Sequence, residues 1–283
     1  MKPYRALSAL TVRAHRLAPR PVGYLQTAMF VHTRGLDRPS ADLCPLGARR
    51  VDITGVPRVA TAYLWGDGPP TVLALHGWGT DSTVMSAAAD TAAANGAATI
   101  SFDAPGHGVS PGSQATITEY ADAVGAVLHH FPSIRIVVAH SLAAIAAAAA
   151  IGASEPTDVR DVLLLAPACS LAGVLRRWSA QRGLPPAVTA LIADELFARD
   201  GVPVAHWDVR TLGVARDVRV HILHDPEDRS VPIDDARRIA AALPVRLDEV
   251  PGAGHHGIVA GEHMRVALMS MLRTDHDQRK VLP

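Results

Sequence analysis

Ser141 stands where the pattern predicts a buried strand running straight into a helix, within Ile134-Arg135-Ile136-Val137-Val138-Ala139-His140-Ser141-Leu142-Ala143-Ala144. A serine on so sharp a turn is lifted clear of the sheet and can act as a nucleophile. The turn needs small residues two before and two after the serine, because strand and helix backbones come close there. Ala139 and Ala143 meet that need. The same junction also serves as an ordinary helix N-cap, so Ser141 decides nothing by itself. A nucleophilic serine further requires a base of near-neutral pKa and a carboxylate to orient that base. The chain has 14 histidines, and a usable one must lie in a loop beyond the C-terminal end of a strand. His255, in Pro251-Gly252-Ala253-Gly254-His255-His256-Gly257, follows the last expected strand. Asp228, in His224-Asp225-Pro226-Glu227-Asp228-Arg229-Ser230-Val231-Pro232, follows the strand before it, with Asp225 as the alternative carboxylate. His76-Gly77-Trp78-Gly79 ends a further strand, where backbone N–H groups can face developing negative charge; a plain tight turn would need the same glycines.

The elements that must position these residues are legible from about residue 48. Short β-rich runs alternate with helical segments, the pattern of a mostly parallel sheet covered on both faces. Arg50–Ile53 and Val59–Leu64 read as an early antiparallel pair. Thr71–Leu75, Ala98–Phe102, Ile134–Val138, Val162–Leu165, Val218–Leu223 and Val245–Val250 read as buried strands. Helices are expected over Ser86–Asn95, Tyr120–Phe131, Leu142–Ile151, Asp234–Leu243 and Glu262–Leu272. Thr116 and Glu119 form a capping box before the second of these. Two regions break the alternation. Residues 1–47 carry Arg5, Arg13, Arg16, Arg20, Arg34 and Arg38 without a clear strand, and read as an N-terminal arm. Residues 168–215 hold two helical pieces, Leu171–Gln181 and Ala187–Ala198, and read as a small helical cap inserted into a core of residues 48–167 and 216–283.

Composition narrows the function. The 283 residues are 48% hydrophobic, enough for a sizeable core, and Lys+Arg 27 against Asp+Glu 27 leaves no net charge. That balance argues against a nucleic-acid binder or a polybasic anchor, and 4% aromatics argue against a base-stacking platform. Cys44 and Cys169 cannot build a disulfide framework or a cysteine-rich zinc site. A metal site from His221, His224 and Asp225 is disfavoured because strand alternation puts the two histidines on opposite faces. No metal or cofactor is expected. No apolar stretch is long enough to cross a bilayer, and a cytoplasmic location is the default expectation.

Taken together, HGWG, FDAPGHGVS, AHSLA, HDPEDRSVP and GAGHHG, in this order over roughly residues 50–275, resemble the α/β-hydrolase family, and the HGWG form resembles its small carboxylesterases. The resemblance implies an α/β-hydrolase fold, Ser141 as nucleophile, His255 as general base, Asp228 as its orienting carboxylate, and the N–H groups of Trp78 and Leu142 as an oxyanion hole. It implies hydrolysis of a small-molecule ester, thioester or lactone. C–C hydrolysis, acyl transfer or cofactor-free perhydrolysis on the same residues, or a binding protein that keeps the fold without the chemistry, are the alternatives. The usual Gly-x-Ser-x-Gly is Ala139-His140-Ser141-Leu142-Ala143 here, the one departure that favours the binder. Neither oligomeric state nor physiological substrate follows from the sequence.

Overall fold

The computed structural model describes residues 17–33, 44–153, 157–212 and 218–281. Its centre is an eight-stranded sheet: β1 (Arg49–Val51), β2 (Ala62–Trp65), β3 (Pro70–Leu75), β4 (Ala98–Phe102), β5 (Ile136–His140), β6 (Asp161–Leu165), β7 (Arg219–His224) and β8 (Arg246–Glu249). The spatial order is β1-β2-β4-β3-β5-β6-β7-β8. β1 and β2 run antiparallel, as do β2 and β4, and every pair from β4 through β8 is parallel. β3, β4, β5 and β6 are buried along nearly their whole length. This is why they read as continuous apolar runs rather than as alternations. β8, at the edge, is only partly buried.

Helices cover both faces: α2 (Ser86–Ala94), α3 (Ile117–His130), α4 (Ala143–Gly152), α7 (Ile233–Ala242) and α8 (Glu262–Val281). α3 begins with the expected capping box, Thr116 Oγ1 accepting from the Glu119 N–H while the Glu119 carboxylate accepts from the Thr116 N–H. In α4, Ala143, Ala144, Ala146 and Ala147 are fully buried. Their small side chains let this helix lie tightly against sheet and neighbour at native packing density. α8 runs past the expected end at Leu272 to Val281.

Between β6 and β7, α5 (Leu171–Gln181) and α6 (Pro186–Asp200) supply the two expected helical pieces. α5 is tied back to the core by Arg177, whose two terminal nitrogens each donate to the Asp235 carboxylate at 3.0 Å. α6 is tied to α3 by the Thr118 hydroxyl, which donates to Asp200 at 2.8 Å. Of the N-terminal region, Pro19–Phe30 forms a helix, α1, that crosses α6 closely: a Cβ added at Gly23 would come within 3.0 Å of the Leu191 Cβ. The chain then pairs with residues 113–115, where the N–H of Thr33 donates to Ser113 O at 3.0 Å and that of Ala115 to Val31 O at 3.0 Å. Most of the arginines counted at the sequence level in this region (Arg5, Arg13, Arg16, Arg34 and Arg38) lie outside the described residues.

Candidate active site

Ser141 occupies the turn between β5 and α4 with φ of +57°, one of three non-glycine residues with positive φ among those described. The conformation costs a serine about 1–2 kcal/mol and has to be enforced by its surroundings. They do so through the main chain: Ser141 N–H donates to Leu165 O at 2.9 Å, and Ser141 O accepts from Ala168 N–H at 3.1 Å and Ala144 N–H at 3.2 Å. Ala139 and Ala143 are fully buried on either side, so the elbow closes around two methyl groups in place of two glycines.

His255 reaches this serine from the loop after β8. Its Nε2 lies 3.1 Å from Ser141 Oγ, and its Nδ1 lies 2.7 Å from Asp228 Oδ2. An ionised carboxylate only accepts, so Nδ1 carries the proton and Nε2 is left to receive one from the hydroxyl. Asp228 is fully buried at its side chain. Burial pushes its pKa up, but hydrogen bonds from His255 and from the N–H groups of Val231 and Ser230 outweigh that, and the carboxyl is held below its usual range. Those two N–H groups donate to Oδ1 at 3.0 and 2.7 Å, which leaves Oδ2 facing the imidazole.

Asp225, the alternative carboxylate, is used differently. Its Oδ1 accepts from Glu227 N–H at 2.9 Å and its Oδ2 from Gly254 N–H at 2.5 Å. It braces the loop that carries His255 instead of touching the imidazole. His224, buried at the end of β7, donates from Nε2 to Val231 O at 2.9 Å and forms a wall beside Asp228. His221 pairs with Asp248 at 2.9 Å, so the two histidines serve separate contacts. Among the described residues no group of three or more His, Cys, Asp or Glu is arranged to hold a metal ion.

Three further histidines order the loops. His76 is completely buried; its Nε2 accepts from Ala104 N–H at 3.0 Å and its Nδ1 donates to Gly77 O at 2.8 Å. Burial pushes its pKa down. His107 sets its ring edge-on to Trp78, centroids 4.9 Å apart, and burial lowers its pKa to about 3. His140, directly before the serine, donates from Nε2 to the main-chain carbonyl of His255 at 2.9 Å. Its burial, with the nearby His255 ring adding to the effect, lowers its pKa to about 3. His140 therefore stays neutral where a second imidazolium would compete with His255. His256 is exposed, with its ring 5.1 Å from that of His255.

Above the hydroxyl lies a cavity of about 410 Å³ lined by Ser141, His255, Trp78 and Leu142. Among the described residues, the main-chain N–H groups of Trp78 and Leu142 have no acceptor. That of Leu142 sits at the N-terminal end of α4, where the helix dipole favours negative charge. The rest of the wall is mostly apolar. Val174 and Trp178 come from α5 and Leu196 from α6, while Met29, Phe30 and Val31 come from the end of α1. Phe30 and Trp178 meet edge to face at 5.3 Å, and Trp78 Nε1–H donates to His32 O at 3.1 Å. The contribution of residues 29–32 was missed at the sequence level. The one available signal was a short apolar run, Ala28 to Val31, with no strand or core assigned to it.

A family model described as "Serine aminopeptidase, S33" matches residues 69–199. The matched span contains Trp78, Ser141, α5 and all of α6 but its last residue, and it ends before Asp228 and His255. No curated protein matches the chain. Solved structures match far more widely. Est1E from Butyrivibrio proteoclasticus superposes with a TM-score of 0.59 at 16% identity, over 83% of this chain and 99% of its own. The esterase Est2 from Thermogutta terrifontis gives 0.56 at 17% identity, over 82% and 91%. A chain from Agrobacterium vitis S4 named as a hydrolase gives 0.57 at 24% identity, over 80% and 97%. At these identities the likeness speaks for the fold.

Proposed function

We propose that this chain, an α/β-hydrolase by fold, is a serine hydrolase that cleaves a small carboxylic ester through an acyl-enzyme intermediate. The carrying observation is the unbroken relay from Asp228 Oδ2 to His255 Nδ1 at 2.7 Å and from His255 Nε2 to Ser141 Oγ at 3.1 Å. Both distances are within hydrogen-bond reach, which general-base catalysis requires.

In this reading His255 takes the Ser141 proton as Oγ attacks the ester carbonyl carbon. The carbonyl oxygen becomes an oxyanion and is received by the N–H groups of Trp78 and Leu142; each such donor contributes about 3–4 kcal/mol in the transition state. His255, now cationic and stabilised by Asp228, returns the proton to the departing alkoxide. An acyl group is left on Ser141. Water enters, gives its proton to His255, and its oxygen attacks the acyl carbon. Collapse of the second tetrahedral intermediate returns the proton to Ser141 Oγ and releases the acid. Serine at the elbow, where other members of this fold use aspartate, argues against dehalogenase or epoxide hydrolase chemistry. The apolar wall from α5, α6 and residues 29–31 supports an uncharged, partly apolar substrate.

Labelling with a fluorophosphonate probe tests the reading. Covalent modification that Ser141→Ala abolishes supports it. An inert, folded wild-type protein would instead support a binding protein that retains the fold. Hydrolysis of p-nitrophenyl esters of rising acyl length then identifies the substrate class.

A further inference from the structure

Phe30 sits half-buried at the end of α1, with its ring edge-on to that of Trp178 in α5, centroids 5.3 Å apart and planes at 79°. Both rings line the cavity above Ser141. A ring at the end of a helix is ordinarily free to swing, but the backbone that carries this one is pinned on both sides. Before it, α1 is held close to α6 at Gly23. After it, His32 bridges to Gln114, and the buried Thr33 hydroxyl donates to Gly106 O at 2.6 Å. The fit there is tight: a Cβ added at Gly106, whose φ is +75°, would come within 2.8 Å of Gln114 O and 3.1 Å of Thr33 Oγ1. The indole N–H of Trp78 fixes the His32 carbonyl from the other side at 3.1 Å. Residues 30–33 are thus a fixed strap across the cavity.

The chemistry of the wall says what the strap encloses. Its three charged side chains, Arg177, Arg182 and Asp200, are each engaged by the protein. Arg177 pairs with Asp235, the Arg182 guanidinium lies 4.0 Å over the Trp178 ring, and Asp200 accepts from Thr118. The remaining surface around the aromatic corner is aliphatic, from Ile117, Leu171, Val174 and Leu196. At about 410 Å³ the cavity is near the small end for ligand pockets, so a wall residue as large as Phe30 decides how much substrate fits.

We propose that Phe30, locked against Trp178, is the specificity-determining residue of this site: the aromatic corner is the stop against which the apolar chain of the ester ends. The inference rests on the hydrolase reading and deepens it. The substrate class is an ester whose chain is uncharged and short enough to end at that corner. Because the stop comes from ahead of β1, the size limit of the site is set by a segment that contributes nothing to the sheet.

The test measures kcat/KM of the full chain on p-nitrophenyl esters from acetate to laurate, and on acetate esters of alcohols from ethanol to decanol. Phe30→Ala is expected to raise the ratio of long-chain to short-chain kcat/KM about tenfold or more in one of the two series, the scale on which an apolar pocket discriminates chain size. Phe30→Trp is expected to lower that ratio in the same series, and Trp178→Ala to raise it. The series that moves tells whether the corner holds the acyl or the alkoxy chain. Damage to the fold lowers every ester alike and cannot move the ratio in opposite directions for Ala and Trp. An active wild type whose ratios neither Phe30 substitution moves overturns the proposal and leaves the hydrolase reading standing. So does movement in the same direction by both substitutions. A folded wild type inert to every ester and to fluorophosphonate overturns the hydrolase reading, and this assignment with it.

Discussion

His140 donates from Nε2 to the carbonyl of His255 across 2.9 Å, joining two residues 115 positions apart in the chain. The side chain next to the candidate nucleophile thereby holds the backbone of the candidate base. His140→Leu removes that donor at nearly constant volume. Its expected effect is a drop in the fluorophosphonate labelling rate of about tenfold, the equivalent of one hydrogen bond. The native circular dichroism spectrum should persist. Unchanged labelling would show that the His255 loop holds its position without His140.

Replacing Asp228 by Asn is expected to cut turnover by about four orders of magnitude, because an amide can donate to Nδ1 and so favours the wrong imidazole tautomer. Asp225→Asn keeps one acceptor for Gly254 N–H and should cost about tenfold or less. Steady-state kinetics on a p-nitrophenyl ester separates the two; a silent Asp228→Asn with a severe Asp225→Asn would reverse the carboxylate assignment.

Ser141→Gly and Ser141→Ala both delete the hydroxyl, yet they should differ in stability. Glycine adopts φ of +57° without the clash an L side chain meets. Ser141→Gly is therefore expected to be more stable than Ser141→Ala by about 1 kcal/mol in urea unfolding, with both variants inert to fluorophosphonate. Equal stabilities would mean that the elbow carries no strain.

His107 and His140 are buried and neutral, with pKa values lowered from 6.5 to about 3. Between those limits the unfolded chain binds protons that the native state refuses, so stability is intact above about pH 6.5 and falls as pH drops toward 3. Each histidine contributes a slope of up to about 1.4 kcal/mol per pH unit in that window. Urea unfolding stepped from about pH 7.5 to 5 should show a falling midpoint, and His140→Leu should flatten the fall.

The Arg177–Asp235 pair ties α5 to α7, with Asp235 3% exposed at its side chain and Arg177 22%. Arg177→Met keeps most of the aliphatic packing but leaves a buried carboxylate whose remaining charged partner is Arg238 at 3.7 Å. A loss of about 2 kcal/mol is expected, below the range for a fully buried pair because Arg177 is partly hydrated. Thermal unfolding would register it.

Much of this architecture was written in local pattern. The apolar runs of β3 through β6 announced strands buried on both faces, and Thr116 with Glu119 announced the start of α3, because burial periodicity and capping act within a few residues. The positions of Ser141, Asp228 and His255 just beyond strand ends could be read as candidates, since parallel strands bring their C-terminal loops to one rim. What the sequence determined by itself was therefore the order of layers and a short roster of side chains at one edge. Only the tertiary structure decided which partners they meet. Asp228 faces the imidazole while Asp225 braces a loop; His140 reaches across to His255; residues 29–32 close a cavity whose other walls come from as near as Trp78 and as far as His255 in the chain. Periodicity records that a side chain is buried, not against what. Contacts between residues so far apart are set by how whole layers pack, which no short window contains.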